Sequence, residues 1–255
     1  MDANPPNNSN ITLCSKSSHL KEAKSKNKPV LIIFHQENSE AGAVGQWFKN
    51  NGYSLDIKRP RFGDLLPASL ENHSGVVVFG GPMSANDNEE YVHQEIDWLD
   101  IPLQQNMPIL GICLGAQMLI KHLGGEVRKH DQGYVEVGYY PVSPTPAGKA
   151  MLPWPSYFYQ WHTEGVILPQ SVETLLEAEY FTTQAFRYND KVLGVQFHPE
   201  ITLAMIHKWT VLGAEKLAMP GAKERLSHFR DHDVYYYSIR KWLDLFLSRL
   251  MGHDH

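Results

Sequence analysis

Three short stretches of this chain combine residue types that could do acyl-transfer chemistry. The first is "GICLGAQ" (111–117), which holds Cys113. An apolar run, "MPIL", leads into it and "MLIKHL" leads out. A strand ending at Ile112 and a helix beginning near Leu114 place Cys113 on the sharp turn between them. Gly111 and Gly115 are small enough to let strand and helix pack closely around such a nucleophile elbow. The turn also faces a helix N-terminus, which favours a thiolate. Read alone, the stretch fits a buried cysteine in a glycine-rich turn equally well.

The second stretch is "GVQFHPE" (194–200). Side chains two apart on extended backbone point to the same side, and Pro199 biases His198 towards that conformation. Glu200 would then orient the His198 imidazole and fix its tautomer, as hydrolytic triads require. A capping or salt-bridged pair before a helix is the plainer alternative for this motif alone. Beside the cysteine elbow, the catalytic reading becomes the better one. The third stretch is "VVVFGGPMS" (76–84), a strand ending in Gly80, Gly81 and Pro82. Such a turn can present an N–H to a developing oxyanion, or it can be only a turn.

These side chains need elements to hold them. "PVLIIF" (29–34), "YSLDIKR" (53–59), "GVVVFGG" (75–81) and "MPILGI" (107–112) read as strands, the first and third of them buried. Between them, 40–52 reads as a helix ending at Gly52, and 88–106 as a second helix. Tyr91, Val92, Glu95, Ile96 and Leu99 share the apolar face of that second helix, with Glu95 its one polar member. A third helix covers 114–125. Alternation of this kind predicts an α/β fold with an open, mostly parallel sheet covered by helices on both faces. In such sheets ligands bind at the carboxyl ends of the strands, where Cys113 falls. The segments 124–142, 157–168 and 184–200 predict added antiparallel strands, with "KVLGVQF" (191–197) a candidate to return to the main sheet. From 201 the pattern is helical, broken at "MPGAK" (219–223) and ending in a helix over 234–250. There Val234, Tyr237, Ile239, Trp242, Leu243, Phe246 and Leu250 are expected to share one apolar face.

Three units are expected: a mobile polar leader (1–28), a catalytic domain (29–215) and a C-terminal helical extension (216–255) packed on it. The leader has no apolar core of a signal peptide. The two cysteines, Cys14 and Cys113, make a poor disulfide pair, so a reducing cytoplasm is the expected location. A net charge of −5 argues against a nucleic-acid partner, and the lack of any run of 18 apolar residues argues against a membrane span. His35, His73, His93, His122 and His130 show no paired metal-ligand spacing, so they read as surface or core histidines and no metal is expected. No cofactor is expected either, and no phosphate loop of the G-x-x-x-x-G-K-[ST] type is present.

In this order, the three stretches resemble the class I (triad-type) glutamine amidotransferases, whose fold is flavodoxin-like. The likeness runs from about residue 30 to about 210 and is greatest to the glutaminase domain of GMP synthase and its stand-alone relatives. The resemblance implies Cys113 as nucleophile, His198 as base and Glu200 as its orienting carboxylate. It implies Gly81 and Leu114 N–H groups as oxyanion donors. It also implies substrate contacts from Gln117 and from Gly133, Tyr134 and Val135 in "QGYVEVG" (132–138). His162 and Glu164 in "YQWHTEG" (159–165) stand where relatives carry a loop facing the acceptor domain, and could set specificity or docking; a surface turn is the alternative. The implied substrate is glutamine or another γ-glutamyl compound. No ATP-using domain is expected to follow. Ammonia would therefore pass to a separate synthetase subunit, or hydrolysis would stand alone. A γ-glutamyl peptidase needs the same acyl chemistry, and a non-catalytic scaffold of the same fold is a third reading.

Overall fold

A computed structural model describes Met1 and residues 27–253. Almost all of the expected leader, with Cys14, lies outside the described residues. The first half alternates as expected. β1 (Val30–Ile33), α1 (Gly42–Asn50), β2 (Leu55–Lys58), β3 (Gly75–Val78), α2 (Glu90–Trp98), α3 (Asp100–Gln104), β4 (Ile109–Ile112) and α4 (Leu114–His122) follow in chain order. The second half contributes β5 (Glu126–Lys129), β6 (Glu136–Pro141), β7 (Ser143–Pro144), α5 (Pro146–Met151), β8 (Tyr157–His162), β9 (Glu164–Ile167), β10 (Glu173–Glu177), β11 (Thr183–Asn189) and β12 (Val192–Val195). Two helices close the chain, α6 (Leu203–Leu212) and α7 (Arg225–Leu250).

The main sheet has the order β2-β1-β3-β4-β12-β11-β10-β7. β2, β1, β3, β4 and β12 run parallel, and β11, β10 and β7 extend the sheet antiparallel. β12 thus returns to the main sheet and inserts beside β4, with Val195 opposite Ile112. Two antiparallel pairs, β5-β9 and β6-β8, stand apart from it.

Strand residues alternate between two cores, as a sheet buried on both faces requires. Val30, Ile32 and Phe34 face one core with Val44 and Phe48 of α1 and Trp242 and Phe246 of α7. Leu31 and Ile33 face the other with Val92 and Ile96 of α2 and Leu119 of α4. The fold is therefore a mostly parallel sheet with helices on both faces.

Two expectations need correction. The single helix over 88–106 is split at Leu99 into α2 and α3. Pro102 explains this, because it offers no N–H and its ring crowds the carbonyl four residues back. At the C-terminus α7 begins at Arg225 rather than near 234. Ile239, Trp242, Leu243, Phe246, Leu247 and Leu250 are buried, but Val234 is 64% and Tyr237 79% exposed. At 3.6 residues per turn those two fall on the opposite side of the helix from the middle of the buried face, near Leu250. The short elements β7, α5 and β10 were not legible in the sequence.

Candidate active site

Because β1, β3, β4 and β12 run parallel, their carboxyl ends share one edge of the sheet. His35, Gly80, Gly81, Cys113 and His198 all lie just beyond those ends. Cys113 has φ 51° and ψ −105°, a conformation costly for a residue with a side chain. Its N–H donates to the Val195 carbonyl at 2.8 Å, and its carbonyl accepts from Gln117 N–H at 3.0 Å. The residue is thus held between β12 and the first turn of α4. The flanking glycines are needed for contact: a methyl on Gly115 would lie 2.1 Å from the Val78 carbonyl oxygen, and one on Gly111 2.7 Å from the Ala116 nitrogen.

His198 is buried, and its N–H donates to the Tyr159 carbonyl at 2.8 Å. Its Nδ1 lies 2.8 Å from Glu200 Oε1. The turn carrying Glu200 is anchored by α1, since Ala43 N–H donates to the Glu200 carbonyl at 2.9 Å. Trp209 of α6 meets the His198 ring edge-on at a centroid distance of 4.7 Å. Burial disfavours a charged imidazole, but Glu200 and Cys113 outweigh it, and the His198 pKa is pushed up to about 10. Nε2 makes no fully formed hydrogen bond, although Cys113 is near enough to act on the ring electrostatically and as a hydrogen-bond partner.

Gly80 and Gly81 complete the centre. A methyl on Gly80 would lie 2.9 Å from His198 Cε1 and 3.4 Å from Cys113 Cβ. One on Gly81 would lie 2.9 Å from Leu114 Cδ2. The oxyanion candidates Gly81 and Leu114 are therefore neighbours in space as well as flanking the thiol. Cys113, His198, Glu200, Gly80 and Gly81 line one cleft of about 490 Å³, with Trp161, Trp209, Phe62 and Leu212 among its walls.

The other expected site residues are placed less uniformly. Gln117 is buried, and its amide donates to the Glu164 carbonyl at 3.0 Å. Glu164 accepts from Ser84 Oγ at 2.7 Å, which ties it to the turn after β3. His162 is buried rather than on a surface turn: Nδ1 lies 2.9 Å from the Glu164 carbonyl and Nε2 3.0 Å from Glu136 Oε2. Gly133, Tyr134 and Val135 are not brought to the Cys113 cleft. They line a second cavity of about 140 Å³ with Lys129, His130, Thr163 and Met219. Within this segment, which the resemblance assigns to substrate, the Val135 N–H donates to the Pro220 carbonyl at 2.9 Å. The turn after α6 folds over this segment and uses its donor.

A family model described as glutamine amidotransferase class-I matches residues 37–208. The chain belongs to this family. Among relatives of the amidotransferase chain, the glutamine amidotransferase-like protein YfeJ of Salmonella typhimurium is 29% identical over 191 residues, covering 69% of this chain and 77% of that one. One subunit of the glutamine-hydrolysing GMP synthase of Methanococcus maripaludis is 32% identical over 133 residues, covering 50% of this chain and 65% of that one. The crystal structure of a glutamine amidotransferase from Methylobacillus flagellatus superposes with a TM-score of 0.83 at 27% identity, covering 90% of this chain and 99% of that one.

The amidotransferase match contains Cys113, His198 and Glu200, and stops short of α7. Some residues at this site escaped sequence reading. Trp209 reads there only as an apolar helix position. Glu136, Gln160 and Gln184 form a buried polar cluster around His162: Gln184 Nε2 donates to Glu136 Oε2 at 2.7 Å, and Gln160 Nε2 to Gln184 Oε1 at 2.6 Å. Their signal was weak, because a glutamine in a β segment reads as its solvent-facing member.

Proposed function

We propose that this protein is a cysteine-dependent glutaminase that hydrolyses the side-chain amide of glutamine to glutamate and ammonia. The observation that carries the reading is the convergence of three parts at one sheet edge. A thiol stands on a strained elbow, a buried imidazole is held by a carboxylate, and two glycines bring backbone against both. The Cys113 thiolate adds to the amide carbon, and the negative oxygen is received by the N–H groups of Gly81 and Leu114. The C–N bond breaks as His198 delivers a proton to the nitrogen, so ammonia leaves. Water then attacks the γ-glutamyl thioester, His198 takes its proton, and glutamate departs with Cys113 restored. Glu200 holds the imidazole and balances its charge throughout. A reactive thiol needs a reducing environment, so the proposed location is cytoplasmic.

The size of the cleft supports a second substrate class. The cleft of about 490 Å³ must hold the γ-glutamyl group as well as the departing amine, and its walls include Trp161, Trp209, Phe62 and Leu212, which suit an amine larger than ammonia. A γ-glutamyl amide with a larger amine would use that space. The ammonia route would need an acceptor; the relation to a separate GMP synthase subunit points to a synthetase subunit in that role. Purified protein given glutamine and a panel of γ-glutamyl amides, with ammonia and glutamate both measured, separates these cases. Glutamine turnover that disappears in Cys113→Ala supports the first reading. Turnover of the larger amides alone moves the assignment to the second. No turnover of any panel member defeats both and leaves the scaffold reading.

A further inference from the structure

His35 and Glu95 form a buried pair that the mechanism above does not use. His35 follows β1, Glu95 lies on α2, and both side chains are wholly enclosed. His35 Nε2 lies 2.9 Å from Glu95 Oε1. Its Nδ1 lies 3.2 Å from the carbonyl oxygen of Gly80. A carbonyl can only accept, so Nδ1 carries a proton and donates to it. The carboxylate fixes that arrangement from the other side of the ring. Burial opposes a charged imidazole here, yet Glu95 more than offsets it and the His35 pKa is raised.

The significance lies in which carbonyl is held. Gly80 O and Gly81 N–H belong to one planar trans peptide, so they point in opposite directions. Fixing the oxygen on His35 fixes the N–H on the other side. A Gly-Gly link is the most permissive place for a peptide plane to rotate, so without an anchor this donor would have little reason to keep its aim. The Gly81 α-carbon also packs against His35, since a methyl there would lie 2.8 Å from His35 Cβ.

We infer that His35 and Glu95 are positioning residues that lock the Gly80–Gly81 peptide with its N–H aimed at the oxyanion formed on Cys113. The inference rests on the proposed role of Gly81 as an oxyanion donor. The dyad touches neither substrate nor thiol. Its effect falls on charge development at the amide oxygen, and the reactivity of the thiol is left alone.

The test uses two paired variants of the full chain, so that no buried carboxylate is left without a partner. In His35→Leu/Glu95→Met the anchor is gone. In His35→Asn/Glu95→Gln the asparagine amide stands near the former Nδ1 and restores a donor to Gly80. Relative to wild type, the first should lose about 10²-fold in kcat on the best γ-glutamyl substrate, with KM and the rate of Cys113 alkylation by iodoacetamide within about twofold. Alkylation is the informative control, because it passes through no oxyanion. The second variant should recover about tenfold or more of the lost kcat. Crystals of the first should show the Gly80–Gly81 peptide rotated or in two orientations. Undiminished kcat in the first variant overturns the inference. So does a kcat loss matched by slower alkylation and not recovered by asparagine, since the pair would then only support packing. An unmoved peptide in the variant crystals overturns it as well. Wild-type protein that cleaves no γ-glutamyl amide would defeat the proposed function and the catalytic purpose of the anchor. The crystals would still show whether the pair sets the peptide.

Discussion

The bare α-carbon of Gly80 lies against the ring of His198: a methyl there would stand 2.9 Å from Cε1. A backbone glycine on one strand end thus limits where the imidazole of another can go. Gly80→Ala should push the ring away from Cys113, lowering kcat by about tenfold or more with little change in the melting temperature. Gly115→Ala is the contrasting case, because its methyl would meet the rigid Val78 carbonyl at 2.1 Å. It should destabilise by about 1–3 kcal/mol or more. Kinetics and thermal melts of both variants check the pair of expectations.

Cys113→Ala should abolish turnover, by on the order of 10⁴-fold or more, while leaving the fold in place. The side chain is small and removing its sulfur leaves little cavity. Circular dichroism and a melting curve close to wild type, together with absent glutamate release, are the expected result. Residual turnover near wild type would remove Cys113 from the mechanism.

His198→Asn should be nearly as inactive as the cysteine variant, and Glu200→Gln less impaired. In the proposed mechanism the imidazole moves the proton, whereas the carboxylate orients and stabilises it. Steady-state kinetics at one pH rank the two.

The raised pKa of His198 carries a stability consequence with a definite sign. Its ordinary value is 6.5 and its folded value is pushed up to about 10, because Glu200 and Cys113 outweigh burial. The folded state therefore binds the proton more tightly. That contribution is full below pH 6.5, shrinks as pH rises, and is gone above about 10. Denaturant melts between pH 6.5 and 10 should show falling stability. Glu200→Gln should flatten this dependence by lowering the imidazole pKa.

The burial pattern of α7 separates two aromatic residues sharply. Trp242 packs on Trp154, Phe158, Phe197 and Phe246, so Trp242→Ala should cost about 3–5 kcal/mol. Tyr237 is exposed, and Tyr237→Ala should change stability by less than about 0.5 kcal/mol. Truncation after Ala218 would remove the helix and bare Phe158 and Phe197, so the product should aggregate or melt early. A folded, soluble truncated protein would show that α7 is dispensable.

What the sequence made legible tracks how local each signal is. The elbow around Cys113 and the strand–helix alternation are written in neighbouring residues. So is the His198–Glu200 pair, because a proline between them sets the backbone. The aim of the 133–135 segment was not legible. Its fate depends on Pro220, a residue more than eighty positions away that takes the Val135 N–H. His35 and Glu95 were visible only separately, one as a lone core histidine and the other as the polar member of an apolar helix face. Their pairing depends on how α2 lies over β1, which no local pattern encodes. The exposed side of α7 was legible in principle, since helical phase alone places Val234 and Tyr237 opposite the middle of the buried face, near Leu250.

The insertion of β12 between β4 and β11 also orders events during synthesis. The strand that leads to Cys113 leaves the ribosome more than eighty residues before its partner β12, and the strand that leads to His198 then enters the middle of the sheet. Contacts so distant in the chain form late. Until they do, β4 presents an unpaired edge, the kind of surface through which partly folded chains aggregate. A nascent chain at that stage holds Cys113 without His198 beside it, so the elbow and the imidazole can meet only after β12 has entered the sheet.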